Sequence, residues 1–112
     1  MAGFNAVLGL TPGGSPGEVT LVTRPEHEVG AGFVHFAVLA TVAEVAAASA
    51  AEASVVPAQI SLSLLSTAKT GRLVGRGKVI RRGRRLIVTE GEVWQDDALV
   101  AKAIVTFSVV GS

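Results

Sequence analysis

The chain has 112 residues, a formal net charge of +1, no cysteine and 49% hydrophobic residues. This length predicts a single domain over residues 1–112, and the absence of cysteine excludes disulfides, thiolate metal sites and a cysteine nucleophile. The near-neutral charge gives no overall preference for nucleic acid or anionic lipid, and with two histidines and no clustered acidic residues no metal site is predicted.

The N-terminal part alternates between apolar runs and turn-forming residues. Phe4–Leu10 is a short apolar run that predicts a strand or a turn of helix, and the prolines and glycines of Thr11–Gly17 predict a loop. Glu18–Arg24 alternates with a period of two, which predicts a strand. Pro25 ends this strand, and the loop that follows is expected to carry His27 on the surface.

The long stretch with helical periodicity begins at about Phe36 and ends at about Glu52. Its larger apolar side chains recur at i, i+3, i+4 and i+7, so one stripe should lie on a sheet. The opposite side carries Glu44 among the small residues Ala37, Ala40, Thr41, Ala47, Ala48 and Ala51. Burying an unpaired carboxylate costs several kcal/mol or forces it to take up a proton, so Glu44 is a candidate functional residue.

The same stretch raises the question of a membrane span. From Val29 to Ala51 it is nearly long enough to cross a bilayer. It consists mostly of alanine and glycine, however, and it carries His35 and Glu44 where charge is expensive. The N-terminus also lacks the basic region of a signal peptide. We therefore predict a cytoplasmic protein without membrane contact.

The second half of the chain changes to a period of two. The predicted strands are Val55–Thr67, Leu73–Arg81, Leu86–Gln95 and Leu99–Val110. Short turns between them predict an antiparallel four-strand meander, with Gly83 supplying a positive φ in the tight turn after Arg82. One helix against this sheet makes an α+β layer architecture. The exposed sheet edges, with a mean hydropathy of +0.53, predict a homo-oligomer.

Several segments together match the pattern of one family. They are Gly32–Glu44, in which a histidine precedes a helix that carries a glutamate, Gln59–Gly71, Ile80–Leu86 and Leu99–Phe107. In this order they resemble the PaaI-like acyl-CoA thioesterases of phenylacetate degradation, a hotdog-fold family. The resemblance extends from about Leu8 to Val110. It implies an antiparallel sheet wrapped around one long central helix.

The resemblance also implies an activity, the hydrolysis of an acyl-CoA thioester, with aryl groups among the acyl candidates. This implied reaction needs no cofactor, since coenzyme A is part of the substrate. Glu44 would act as general base or nucleophile, the backbone amide of Phe36 would polarise the thioester carbonyl, and His35 would position the loop. Substrate contacts are expected from Ala37, Thr41 and Ala48. The alternative for Glu44 is an ion pair with Lys102 or an arginine at a subunit contact.

The spacing of His35 and Glu44 has a consequence for assembly. Nine helical steps rise about 13–14 Å and turn about half a circle. One chain therefore cannot bring the N-terminus of the helix and the glutamate to the same carbonyl, whereas two facing chains can. This predicts a homodimer, or a homotetramer built from two dimers, with the site shared between subunits.

Four arginines surround the predicted hairpin turn at Gly83. These residues, Arg81, Arg82, Arg84 and Arg85, are together called the arginine turn. Guanidinium groups suit the phosphates of coenzyme A, although a solvated, positively charged turn would look the same in sequence. Nucleic acid is not predicted as a partner, because no aromatic residues alternate with the arginines to stack on bases.

A second function, from another class, remains open. Phe36 and Ala37 stand where the family has paired glycines after the histidine. A domain with this change could bind acyl-CoA without hydrolysing it, as a sensor or an assembly module. Release of free thiol from acyl-CoA would support the enzyme. Stabilisation by CoA without thiol release would support the binding module.

Overall fold

The computed structural model describes residues 1–111, in which one long helix packs on a six-stranded sheet. Ser112, the last residue of the predicted domain, lies outside the described residues. The helices are α1 (Gly3–Leu8) and α2 (Phe36–Ala51), with a 3₁₀ turn at Pro25–His27. The strands are β1 (Thr11–Pro12), β2 (Glu18–Val22), β3 (Glu28–Gly30), β4 (Phe33–Val34), β5 (Val55–Leu64), β6 (Arg72–Arg82), β7 (Leu86–Gln95) and β8 (Ala98–Val109).

The main sheet has the order β1-β2-β6-β7-β8-β5, and all neighbouring strands are antiparallel. The short strands β3 and β4 pair separately. An antiparallel sheet around one long helix is the α+β hotdog arrangement, so the predicted fold class is confirmed.

The predicted four-strand meander is wrong in one place. Only β6, β7 and β8 follow one another in the sheet, while β5 pairs with β8 at the edge. The link after β5 does not turn back on itself. It crosses the end of the sheet, where the N–H groups of Leu65 and Ser66 both donate to the carbonyl oxygen of Val100. We call residues 65–71 the crossover segment.

The long helix α2 packs on the sheet through the stripe expected from its periodicity. The stripe residues Val38, Leu39, Val42, Val45 and Ala46 are all buried. The helix backbone rests directly on two strand glycines. A Cβ atom at Gly77 would lie 2.1 Å from the carbonyl oxygen of Ala46, and one at Gly91 would lie 2.0 Å from that of Ala43. A side chain at either glycine would therefore lift the helix from the sheet.

Smaller local predictions are confirmed or corrected. The apolar run after Phe4 forms the helix α1, and the loop predicted from Thr11 begins as the short strand β1, paired with β2. Ala47 and Ala51, predicted on the open side of α2, are fully buried because the sheet wraps further around the helix than one stripe. Within residues 1–111, no helix has the length and apolarity needed to cross a membrane.

The strand β5 lies at one edge of the sheet. One side pairs with β8, and no strand from residues 1–111 pairs with the other side. Ile60 and Leu64 are 42% and 51% exposed. Each lies two residues from Leu62, which packs against the core, and residues two apart in a strand point to the same side. Both therefore face the helix side of the sheet. This edge lies next to the candidate site.

Candidate active site

A short hairpin leads the chain to the N-terminus of α2. The strands β3 and β4 are joined at Ala31 and Gly32, whose φ angles are +53° and +76°. Two consecutive positive φ values are typical of a type I′ turn, for which glycine is well suited. Beyond the turn, the N–H of Val34 donates to the carbonyl oxygen of Ala68 over 2.8 Å. The approach to His35 is thereby fixed against the crossover segment.

His35 is the N-cap residue of α2. Its Nδ1 accepts a hydrogen bond from the backbone N–H of Ala37 over 3.0 Å, and its carbonyl oxygen accepts one from Val38 over 3.0 Å. Among residues 1–111, the N–H of Phe36 finds no acceptor. A free N–H at the N-terminus of a helix favours a negatively charged oxygen, because the positive end of the helix dipole adds to the dipole of the N–H bond.

His27 is hydrogen-bonded to the N-cap residue His35. The surface position predicted for His27 is wrong. The residue is only 7% exposed. Its Nδ1 accepts a hydrogen bond from the backbone N–H of Arg24 over 3.0 Å, which closes the 3₁₀ turn. Its carbonyl oxygen accepts the N–H of His35. These two bonds draw His27 inward, a tertiary effect that its polar sequence neighbours do not reveal.

An apolar cavity of about 310 Å³ opens at the N-terminus of α2. It is lined by Val34, Phe36, Leu39, Leu64, Leu65, Ser66 and Thr67. The ring of Phe36 stacks on that of His35, with the ring centroids 4.7 Å apart, and the residue is 56% exposed. The strand predicted over Val55–Thr67 ends instead at Leu64, because Leu65 and Ser66 turn to bond Val100. The sequence gave no signal that residues 64–67 would form a cavity wall.

The residues predicted to contact substrate lie elsewhere on α2. Ala37, Thr41 and Ala48 share with Glu44 the side of the helix opposite its buried stripe. The hydroxyl of Thr41 donates to the carbonyl oxygen of Ala37 over 2.8 Å, so it is occupied within the helix. None of these residues is among those that line the cavity in the described part of the chain.

Glu44 is partly buried and has no ion-pair partner within residues 1–111. Burial raises the pKa of its carboxyl group above the ordinary value, since desolvation disfavours the charged form. Lys102, the partner considered from sequence, instead lies 3.3 Å from Glu90 and 3.5 Å from Glu92. Hydrogen bonding to Glu90 is the main reason why the pKa of Lys102 is raised. A carboxylate with a raised pKa is the stronger base.

The free amide and the carboxylate are far apart within one chain. From Phe36 to Glu44 the helix rises about 12 Å and makes a little more than two turns. The two groups therefore cannot act on one carbonyl carbon from the same chain. Among residues 1–111, no group of three or more His, Asp or Glu side chains is placed to hold a metal ion.

The four residues of the arginine turn are exposed and form no ion pair with the described residues. A second cavity, of about 370 Å³, is lined by Arg81, Gly83, Arg84, Arg85, Leu86 and Val88. The positive φ predicted for Gly83 is wrong. Glycine is needed for another reason: a Cβ atom there would lie 2.8 Å from the carbonyl oxygen of Leu86, which accepts the N–H of Gly83.

The arginine turn and the apolar cavity lie at opposite ends of the chain's sheet. The strand β6 and the helix α2 run in the same direction, because Gly75 lies against Val42 and Gly77 lies against Ala47. The turn that follows β6 therefore lies beyond the C-terminal end of α2. Phe36 marks the opposite, N-terminal end. A ligand that contacts both places must bridge two chains or lie along the full length of one.

Comparison with known proteins identifies the family. The model of the thioesterase superfamily matches residues 31–102, which include β4, all of α2 and most of the sheet. The chain belongs to the thioesterase superfamily. No curated protein sequence matches it.

Solved structures include several similar proteins. A phenylacetic acid degradation-related protein from Ralstonia eutropha JMP134 is 28% identical over 94% of this chain and 88% of its own, with a TM-score of 0.84. A mutant of the phenylacetic acid degradation protein PaaI from Thermus thermophilus is 26% identical over 96% of this chain and 98% of its own, with a TM-score of 0.86. A Bacillus halodurans protein solved with CoA shares the fold, at 21% identity over 98% of this chain and 78% of its own, with a TM-score of 0.87.

Proposed function

We propose that the protein hydrolyses an acyl-CoA thioester to a free acid and CoA, in a site shared by two copies of the chain. One observation carries this proposal: the free N–H of Phe36 lies at the N-terminus of α2, beside an apolar cavity. The cavity suits the acyl group, and the N–H suits the carbonyl oxygen as it gains negative charge. Membership of the thioesterase superfamily supports the same reaction.

Glu44 of the facing copy would supply the base. Its carboxylate takes a proton from water while the water oxygen bonds to the thioester carbon, and the resulting oxyanion accepts the N–H of Phe36. When the oxyanion collapses, the carbon–sulfur bond breaks and the CoA thiolate takes the proton from Glu44. Alternatively, the carboxylate attacks directly and forms an anhydride that water then opens. After a single turnover in oxygen-18 water, the general-base route places the label in the product acid, whereas an anhydride that water opens at the glutamyl carbon leaves the label in Glu44.

The β5 edge is the expected contact between copies. Pairing two β5 strands antiparallel about a two-fold axis would extend the sheet and cover Ile60 and Leu64, which are exposed in one chain. It would also place the arginine turn of one copy at the same end as Phe36 of the other. The phosphates of CoA could then be held by one subunit and the thioester by the other. A dimer of dimers remains the larger assembly expected from sequence.

The cavity favours an uncharged acyl group. None of its lining residues carries a charge, so a carboxylate on the acyl group would be buried there without a partner. The half-exposed ring of Phe36 offers an aromatic surface on which an aryl group can stack. Aryl and apolar aliphatic thioesters are therefore the substrates to assay first.

Complementation between two inactive variants tests the shared site. Phe36→Pro removes the N–H, and proline is tolerated at the first position of a helix after an extended residue such as His35. Glu44→Gln removes the base. Mixed dimers would contain one site with both groups intact. We expect each variant to be inactive alone and an equal mixture, after subunit exchange, to regain about a quarter of wild-type turnover.

Recovery would fail if both groups acted from one chain. Phe36→Leu is the matched control, because it changes the side chain at the same position and keeps the N–H. If the wild-type protein releases no thiol from aryl- or alkyl-CoA but is stabilised by them, the binding-module function applies instead. The Phe36 ring at the cavity, where the family has glycine, is the observation that favours this second function.

A further inference from the structure

Gln95, the last residue of β7, binds the backbone of a residue far away in sequence. Its Nε2 donates to the carbonyl oxygen of Lys69 over 2.7 Å, and its Oε1 accepts the N–H of Lys69 over 2.9 Å. This pair of bonds copies the pairing of two strands, with a side-chain amide in place of a backbone one. It satisfies both backbone groups of a residue in the middle of the crossover segment.

The crossover segment is held by hydrogen bonds at three places, two of them to strands of the main sheet and one to Thr23, the residue that follows β2. At its start, the N–H groups of Leu65 and Ser66 donate to Val100. At its end, the N–H of Gly71 donates to the hydroxyl of Thr23 over 2.7 Å. Gln95 makes the tie between them. The other hydrogen bonds that the middle of the segment makes to the rest of the chain go to the β3–β4 hairpin, which itself depends on the segment for support. Ala68 is also buried in the core.

The middle of the segment contributes to both parts of the candidate site. Ser66 and Thr67 line the apolar cavity, next to Leu64 and Leu65. One residue further on, the carbonyl oxygen of Ala68 accepts the N–H of Val34, two residues before Phe36. A displacement at Lys69 would therefore disturb both one wall of the cavity and the approach to the free amide.

We propose that Gln95 is a positioning residue for this site: it holds the crossover segment so that the cavity wall and the Phe36 amide keep their relative places. The inference rests on the proposed function, since it assigns Gln95 to the binding of the acyl group. It predicts an effect on the acyl part of a ligand, whereas the affinity for free CoA should not change.

Two variants distinguish the contribution of the Gln95 side-chain amide from that of the Lys69 side chain. Gln95→Met keeps the length of the side chain and removes both hydrogen bonds. Lys69→Ala is the matched control, because Gln95 binds only the backbone of Lys69 and both bonds remain. Gln95→Glu keeps the acceptor and loses the donor, so it serves as a milder variant if Gln95→Met does not fold.

The measurements are backbone amide exchange at residue 69, the Kd of hexanoyl-CoA and acetyl-CoA thioether analogues, and KM and kcat for hexanoyl-CoA. In Gln95→Met we expect loss of exchange protection at residue 69, about tenfold weaker binding of the hexanoyl analogue, and a raised KM. The acetyl analogue and free CoA should bind nearly as before. In Lys69→Ala all values should stay close to those of the wild type.

A purely structural role for Gln95 would lower the unfolding temperature and leave the Kd and KM values of the folded protein unchanged. That result, with a wild-type protein that binds the hexanoyl analogue, would overturn the inference alone. If the wild-type protein neither binds the thioethers nor releases thiol, the proposed function itself fails, and the role of Gln95 fails with it.

Discussion

The backbone N–H of His35 donates to the carbonyl oxygen of His27 over 2.8 Å, so the two histidines of the chain are directly linked. Each imidazole also accepts a backbone N–H through Nδ1, from Ala37 in the case of His35 and from Arg24 in the case of His27. The N-terminus of α2 is therefore held by two imidazoles that each accept a backbone N–H group.

Replacement of His35 should show what its cap contributes. His35→Ala removes the acceptor for the Ala37 N–H, so we expect the free energy of unfolding to fall by about 1 kcal/mol. His35→Asn should largely restore it, because asparagine is a favoured N-cap residue. Urea unfolding of the three proteins measures the difference. Equal loss in both variants would show that the ring packing against Phe36 matters more than the cap.

Glu44→Gln should have opposite effects on activity and stability. Removal of a general base lowers kcat by about 10²–10⁴-fold. Because burial raises the pKa of Glu44 in the folded state, its ionised form destabilises the fold. This destabilisation is absent below the unfolded-state pKa and develops as the pH rises through the folded-state pKa.

The sign of the stability effect can be measured directly. At neutral pH, Glu44→Gln should be more stable than the wild type, and the difference should shrink on acidification until both proteins unfold alike. Thermal unfolding at a series of pH values tests this. A wild-type protein that is more stable than the variant at neutral pH would mean that the carboxylate has a partner in the assembly, as the ion-pair alternative requires.

Phe36 should limit the size of the acyl group. Phe36→Ala enlarges the cavity and keeps the N–H, so kcat/KM for bulky acyl groups should rise relative to short ones by about tenfold or more. Phe33→Ala is the matched control, since this phenylalanine is also exposed but does not line the cavity. Acyl-CoA substrates of increasing size measure the shift. If kcat/KM depends on acyl size in the same way in both variants, the Phe36 ring does not select the substrate.

A charge on the β5 edge should break the proposed dimer. Ile60→Lys places an ammonium group where two hydrophobic edges would meet, so we expect monomers and loss of turnover. Val22→Lys, at a residue that is 64% exposed on β2, is the control and should preserve both. Analytical ultracentrifugation and thiol release are measured on the same samples. A fully active monomer would contradict the shared site.

The predictions that succeed rest on local periodicity. The stripe from Val38 to Ala46 and the bounds of α2 follow from the 3.6-residue repeat. The short turns predicted after Arg82 and between Gln95 and Leu99 define the hairpins of β6, β7 and β8. The position of β5 does not follow from these patterns. Its partner β8 is distant in sequence, and the crossover depends on hydrogen bonds to Val100 that no short motif signals.

The residues of the candidate site differ in how far the sequence could suggest them. His35, the Phe36 amide and Glu44 could be named from the family resemblance and from the oddity of a carboxylate on an apolar helix. Gln95 could not be predicted, because one polar residue at the end of a strand resembles any other until its partner is known. Leu64 had the signature of an ordinary strand residue, and it becomes a cavity wall only through the crossover.

The contact of Gly77 and Gly91 with the backbone of α2 bears on how this protein can change over evolution. Because backbone meets backbone there, the height of the helix above the sheet at these two points is set by main-chain atoms and not by side chains. The side chains at the cavity, such as Phe36 and Leu39, can then vary without moving the amide beside them. Side chains that line the cavity can therefore change between related chains while the backbone of the proposed site keeps its place.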